Sequence, residues 1–266
     1  MAFNDIFRVT KQTKILLIFL VCISIIGFSV AYFYYDYKNK SEDPRVLDAR
    51  MKLAKFDGLI KEKKYADALP LMDSVYAIYH NTPGYKESFE FGVIYNNRGS
   101  VYLSMALYDS LIGKEDTTFP AGRKENLLRL AEENINKSII IYKKWIDSAG
   151  KFSENEIRKN IIPTFNTNDK AFEGRNIERI IKKRVEDIVF AQTETPRRLS
   201  VSYTNLGIIQ RHQYKQEEAI KSYIEAIKLW EDNFTARNNF NVLMGKPPED
   251  RSIIDQLFPP DRSKKD

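Results

Sequence analysis

The chain has 266 residues, of which 43% are hydrophobic and 29% charged, a composition that supports one helical core and excludes wholesale disorder. Its 42 basic and 36 acidic residues give a net charge of +6, but the two signs are mixed along the chain. No basic block of the kind that neutralises a phosphate backbone is present, so we expect no nucleic-acid partner. The single cysteine excludes an intrachain disulfide.

The N-terminal segment predicts a membrane-spanning helix. A short basic tail, residues 1–14, precedes residues 15–35, which read ILLIFLVCISIIGFSVAYFYY and carry no charge. As a helix, these 21 residues span about 31 Å, the thickness of a bilayer core. Aromatic residues from Tyr32 to Tyr37 cluster at the far end, as is typical of a membrane interface. We therefore expect residues 15–35 to contact the lipid bilayer, with a linker at residues 36–45.

The fate and orientation of this segment have alternatives. Ser29, Val30 and Ala31 offer the small residues of a signal-peptidase site, so a secreted form after cleavage is one alternative. Basic residues flank both ends of the segment in equal number. The positive-inside rule therefore does not decide which end lies in the cytoplasm. Because a short basic tail is usually retained in the cytoplasm, we expect a single-pass membrane protein whose main domain is extracytoplasmic, on the periplasmic or outer side.

The region 200–233 shows the spacing of a helical hairpin. It reads SVSYTNLGIIQRHQYKQEEAIKSYIEAIKLWEDN. Six residues carry the pattern, namely Tyr203, Leu206, Gly207, Ala219, Tyr223 and Ala226. They resemble the signature of the tetratricopeptide-repeat (TPR) family, which implies an all-α solenoid of stacked helix pairs. In such a pair, Gly207 and Ala219 would lie where the two helices approach most closely.

Two diverged copies and a capping helix complete the predicted TPR-like domain, residues 46–245. One copy lies near 49–82, and the other, near 92–148, is interrupted by an insertion at 113–122. Such an insertion is tolerated because lengthening a surface loop costs little closure entropy. Residues 234–245 resemble the helix that covers the apolar end of a repeat array.

Residues 148–196 do not follow the repeat pattern. We predict a short helix near 154–162 and a basic amphipathic helix near 177–192. The basic residues of the second helix are Arg179, Lys182, Lys183 and Arg184. Acidic neighbours favour a solvated face, with a membrane-surface or acidic-partner role as the alternative. The C-terminal residues 246–266 are charged and Pro-rich, which predicts a flexible tail with a short docking motif, IIDQLF, at 253–258.

The sequence carries no catalytic pattern. It has no Gly-rich phosphate loop and no nucleophile elbow, and its two histidines, His80 and His212, lie in no metal-ligand spacing. Paired carboxylates such as Glu217 and Glu218 stand beside lysines, which is typical of a solvated helix face. We therefore expect a non-enzymatic protein without cofactor or metal. A non-catalytic subunit of an envelope enzyme or secretion complex is an alternative role.

The TPR resemblance implies a concave protein-binding surface lined by the first helix of each pair. The implied partner-binding residues are Val201, Thr204, Asn205, Ile208, Arg211 and His212 in the third pair, and Val93, Asn96, Asn97, Ser100 and Leu103 in the second. An amide can both donate to and accept from a ligand backbone, and a guanidinium can bind a carboxylate. The function implied is a membrane-tethered scaffold that recruits partner proteins.

Overall fold

The protein is all-helical. The computed structural model describes residues 10–108 and 122–250, and within them it contains helices and no strand. The predicted all-α fold class is confirmed. The nine α-helices of these ranges are α1 (Lys11–Ser41), α2 (Leu47–Lys61), α3 (Tyr65–Asn81), α4 (Glu90–Tyr108), α5 (Arg123–Asp147), α6 (Glu154–Ile161), α7 (Ile177–His212), α8 (Gln216–Leu229) and α9 (Phe234–Leu243). The first nine residues, most of the predicted insertion and the IIDQLF motif lie outside the described residues.

Helix α1 is 31 residues long and continues past the predicted end of the apolar segment. Thr10 caps it, because its hydroxyl accepts a hydrogen bond from the backbone N–H of Thr13 at 3.2 Å. Its apolar side chains are exposed along its length, and its most apolar window has a mean hydropathy of 2.7. One helix near the N-terminus is therefore long and apolar enough to cross a membrane.

The helices that follow pack mainly against their neighbours in the chain. The close pairs are α2 with α3, α4 with α5, and α7 with α8. Connectors of three residues join the first and last of these pairs, so their helices run antiparallel. Contacts between α3 and α4, and between α5 and α7, join one pair to the next, while α9 lies against α8. Apolar clusters fill the spaces within and between the pairs.

Small side chains allow the helices of a pair to approach closely. A Cβ atom added at Gly207 would lie 2.4 Å from the ring of Tyr223, and one added at Gly99 would lie 2.6 Å from Ile135. The matching positions of the second helices all have zero exposure, and they are Ala68, Met72, Val75, Ala131, Ile135, Ser138, Ala219, Tyr223 and Ala226. Gly207 and Ala219, which the sequence pattern assigns to the closest approach of the third pair, are thus buried in it.

Two hairpin turns have the same backbone geometry. Lys63, between α2 and α3, has φ 59°, and Tyr214, between α7 and α8, has φ 63°. In both turns the N–H of the next residue donates to a carbonyl of the preceding helix at 2.9 Å. This left-handed conformation at a helix end normally favours glycine. The two turns therefore share an uncommon local structure.

Helix α7 departs from the sequence expectation. The predicted basic helix near 177–192 and the first helix of the third pair form one continuous helix of 36 residues, which runs through Pro196. Proline removes one backbone hydrogen bond and is expected to end or kink a helix. Here the helix continues because Ala191 and Leu199, on either side of the proline, are buried in the core. Helix α6, close to the predicted 154–162, packs against α7.

Candidate functional site

Three predicted partner-binding residues of α4 and α7 form hydrogen bonds with one another through their side chains. Asn205 donates from Nδ2 to Oδ1 of Asn96 at 3.1 Å and to Oγ of Ser100 at 3.0 Å. Ser202 donates to the same Oδ1 at 3.0 Å and shares a 3.0 Å hydrogen bond with Ser138 of α5. This network joins three helices, and it fixes the orientation of both amides.

The same network leaves one donor and one acceptor unused. Within the described ranges, Nδ2 of Asn96 and Oδ1 of Asn205 make no hydrogen bond, and both side chains are half-buried. A peptide backbone presents one N–H and one C=O per residue, so an adjacent donor and acceptor match its requirements. We take Asn96 and Asn205 as the centre of the candidate site.

Three predicted residues near the end of α7 remain accessible. Val201 is 38% exposed, and Arg211 and His212 are half-buried. Burial, together with the nearby cations Lys124 and Arg211, lowers the pKa of His212, so this imidazole is neutral at pH 7. Arg211 has no carboxylate partner among the residues that the structure describes. Its guanidinium therefore stays available to an acidic group of a ligand.

Two predicted residues do not reach the surface. Thr204 is 3% exposed, and its hydroxyl accepts a hydrogen bond from Asn233 at 2.9 Å. Leu103 is 6% exposed and packs in the apolar cluster formed by α4, α5 and α7. A partner could contact either residue only by unpacking the core. Their assignment to the binding surface is therefore wrong. Thr204 is covered by Asn233, the residue that precedes α9.

The remaining predicted residues are half-buried and border the site. Val93 and Ile208 pack partly against the apolar core. Asn97 approaches the sulfur of Met72 on α3, with its Nδ2 atom 4.0 Å away. Val93 and Ile208 therefore contribute to the core packing of α4 and α7, whereas Asn97 faces α3.

Sequence reasoning missed an aromatic cluster between α3 and α4. Tyr76 stacks on His80 at 5.6 Å between ring centroids and meets Tyr95 edge-on at 6.1 Å. Arg98 lies over both tyrosine rings, 5.5 Å and 5.7 Å from their centroids, and Lys137 lies 5.6 Å from the ring of Tyr95. Helical spacing of three and four residues places these groups on facing surfaces, and that spacing was the available signal.

A cleft of about 370 Å³ lies where α5, α6 and α7 meet. Its walls are mostly apolar and include Trp145, Phe152 and Ile188. Arg184 also lines the cleft, is 3% exposed and pairs with Glu90. Burial alone would lower the pKa of this arginine, but the adjacent carboxylate raises it above its ordinary value. The charge of Arg184 is therefore already compensated within the protein.

Comparison of the chain with protein-family models, curated proteins and solved structures finds no match.

Proposed function

We propose that the protein is a membrane-anchored, non-enzymatic scaffold in which TPR-like helix pairs form a solenoid that binds a partner protein. Three features support this proposal: the matching buried positions of the three pairs, the two equivalent left-handed turns, and the chain-order packing of the pairs. Helix α1 is the proposed single-pass anchor, and the helical domain lies on the extracytoplasmic side of the membrane.

The partner segment is proposed to bind across α4 and α7. The observation that carries this proposal is the unused donor of Asn96 beside the unused acceptor of Asn205, both held in fixed orientations. On the same helix as Asn205, Val201 offers apolar surface and Arg211 offers a cation. The partner chemistry that fits is a backbone segment with an apolar side chain and a carboxylate.

Secretion after cleavage at Ala31 is less well supported. Helix α1 runs without interruption through Ala31 to Ser41, and its last turns contact α7. The uncharged run of 21 residues also exceeds the apolar core of a signal peptide, which is about 7–15 residues long. A place as a non-catalytic subunit of an envelope or secretion complex is compatible with the scaffold role, since such a complex would supply the partner.

The proposal is tested by photo-cross-linking in membranes. A benzoylphenylalanine placed at position 201 of the full-length protein should cross-link a partner, which mass spectrometry then identifies. Arg211→Glu should abolish that cross-link without lowering the melting temperature, because the charge at the site is reversed. Lys221→Glu is the matched control, since Lys221 is exposed on α8. A cross-link that survives Arg211→Glu, or that is lost equally in the control, contradicts the assigned surface.

A further inference from the structure

The C-terminal end of α1, the proposed membrane helix, contacts the first turns of α7. The guanidinium of Arg179 lies 4.2 Å from the ring centroid of Tyr37, near the end of α1. Just after α1, Glu42 pairs with Arg50 of α2, and Arg50 also binds Asp187 of α7 at 2.6 Å. These contacts fix the basic end of α7 beside the membrane helix.

Hollows of about 580 and 260 Å³ lie at this junction, and Arg179 lines both. Arg175 lines the larger hollow, and Lys182 the smaller one. None of these three cations has a carboxylate partner in the part of the chain that the structure describes. The other charged residues that line the hollows are Lys40, Lys183, Glu42 and Glu186, and all but Glu186 form ion pairs with side chains outside the hollows. A net positive charge of two therefore remains.

This charge lies at the depth of the lipid headgroups if α1 spans the bilayer. The uncharged segment ends at Tyr35, so Tyr37 lies about 3 Å further along the helix. The headgroup layer is about 5–7 Å thick on each side of the hydrocarbon core. Arg179, in contact with Tyr37, is thus within that layer. The N-terminus of α7 points to the same region and adds positive potential to it.

We propose that Arg175, Arg179 and Lys182 bind the phosphate of an anionic phospholipid in the leaflet on the domain's side. The inference rests on the proposed membrane anchoring. Arginine and lysine side chains complement a phosphate by charge and hydrogen bonding, and Tyr34 and Tyr37 are suited to the same interface. The bound lipid would hold the helical domain at a fixed angle to the bilayer, which the single helix α1 alone does not determine.

Lipid binding can be measured with the full-length protein in a neutral detergent. The protein is titrated with phosphatidylglycerol or phosphatidylcholine, and bound lipid is counted by native mass spectrometry. Arg179→Gln/Lys182→Gln should weaken phosphatidylglycerol binding about thirtyfold, because each basic side chain near an anionic surface contributes about fivefold. Lys61→Gln/Lys221→Gln removes the same charge from exposed positions at the end of α2 and on α8, and it should change the affinity less than about twofold, as expected for sites remote from the lipid.

Equal affinity of the two double variants for phosphatidylglycerol would overturn the proposal. Displacement of the lipid by inorganic phosphate at comparable concentration would also overturn it, since free phosphate would then be the ligand. Alkaline carbonate extraction separates this failure from failure of the anchor. If the wild-type protein is extracted, anchoring and headgroup binding are both refuted. If the wild type and both double variants resist extraction and all three bind phosphatidylglycerol with equal affinity, only the headgroup site is refuted.

Discussion

Replacing Gly207 with alanine tests the close contact between α7 and α8. The added Cβ would lie 2.4, 2.7 and 2.9 Å from three carbons of the Tyr223 ring. Ordinary carbon–carbon contacts are about 3.5–4.0 Å, so the ring has to move by about 1 Å. Tyr223 has no exposed surface, and its neighbours Ala219 and Ala226 are fully buried as well. The ring therefore cannot move without displacing a helix.

The expected loss in the free energy of unfolding of Gly207→Ala follows from two opposing effects. Overpacking a core typically costs about 1–3 kcal/mol, and a fully enclosed ring places this contact near the upper end. Alanine is a better helix former than glycine by about 1 kcal/mol, which offsets part of the loss. Gly207→Ala should therefore lower the free energy of unfolding by about 1–2 kcal/mol. Gly58 of α2 has nothing within 4 Å of its added Cβ, so Gly58→Ala should raise that free energy by up to about 1 kcal/mol.

Both variants are compared with the wild type by urea denaturation of the full chain in detergent, followed by circular dichroism at a helix band. Opposite signs for the two alanine substitutions are the expected result. If Gly207→Ala is as stabilising as Gly58→Ala, the helices do not meet at Gly207. The proposed register of the third pair would then be refuted.

Three further substitutions probe other parts of the fold, each by the same denaturation assay. Glu90→Gln should cost about 3 kcal/mol, because it leaves the buried guanidinium of Arg184 without a counter-charge, and adding Arg184→Met should recover part of the loss. Asn233→Ala should cost about 2–3 kcal/mol, since it removes an N-cap and two buried hydrogen bonds; a loss below about 0.5 kcal/mol would contradict this. Tyr214→Gly should gain about 0.5–1 kcal/mol by relieving the left-handed backbone at a side chain that is 91% exposed, whereas Tyr214→Ala should bring no gain.

The hairpin interfaces could be predicted from sequence because their signal is local. Ala219 and Ala226 lie two helical turns apart on α8, Gly207 lies on the facing helix α7, and such small residues let the two helix backbones approach closely. Pro196 gave a misleading local signal, since proline ordinarily ends a helix. The continuity of α7 depends on packing around Ala191 and Leu199, and contacts between distant segments are not visible in a local pattern.

The candidate site was only partly predictable for the same reason. Asn96 and Asn205 were assigned through the family resemblance, but their mutual hydrogen bond joins residues far apart in sequence. Thr204 was assigned in the same way, and the distant Asn233 covers it. The basic face of α7 was interpreted as solvated because acidic residues stand next to its cations. The contact of Arg179 with Tyr37, which relates that face to α1, joins residues far apart in sequence.

The continuity of α7 connects the two proposals. Its first turns carry Arg179 beside the C-terminal end of α1, the proposed membrane anchor, and its last turns carry Asn205 and Arg211 at the candidate partner surface. Residues 179 and 205 lie on one helix, so they are separated by at most about 39 Å at a rise of 1.5 Å per residue. Because a packed helix transmits position without a flexible joint, a lipid bound at Arg179 would set the height and direction in which the partner surface faces the bilayer. Two separate helices, as the sequence predicted, would have left that geometry undetermined.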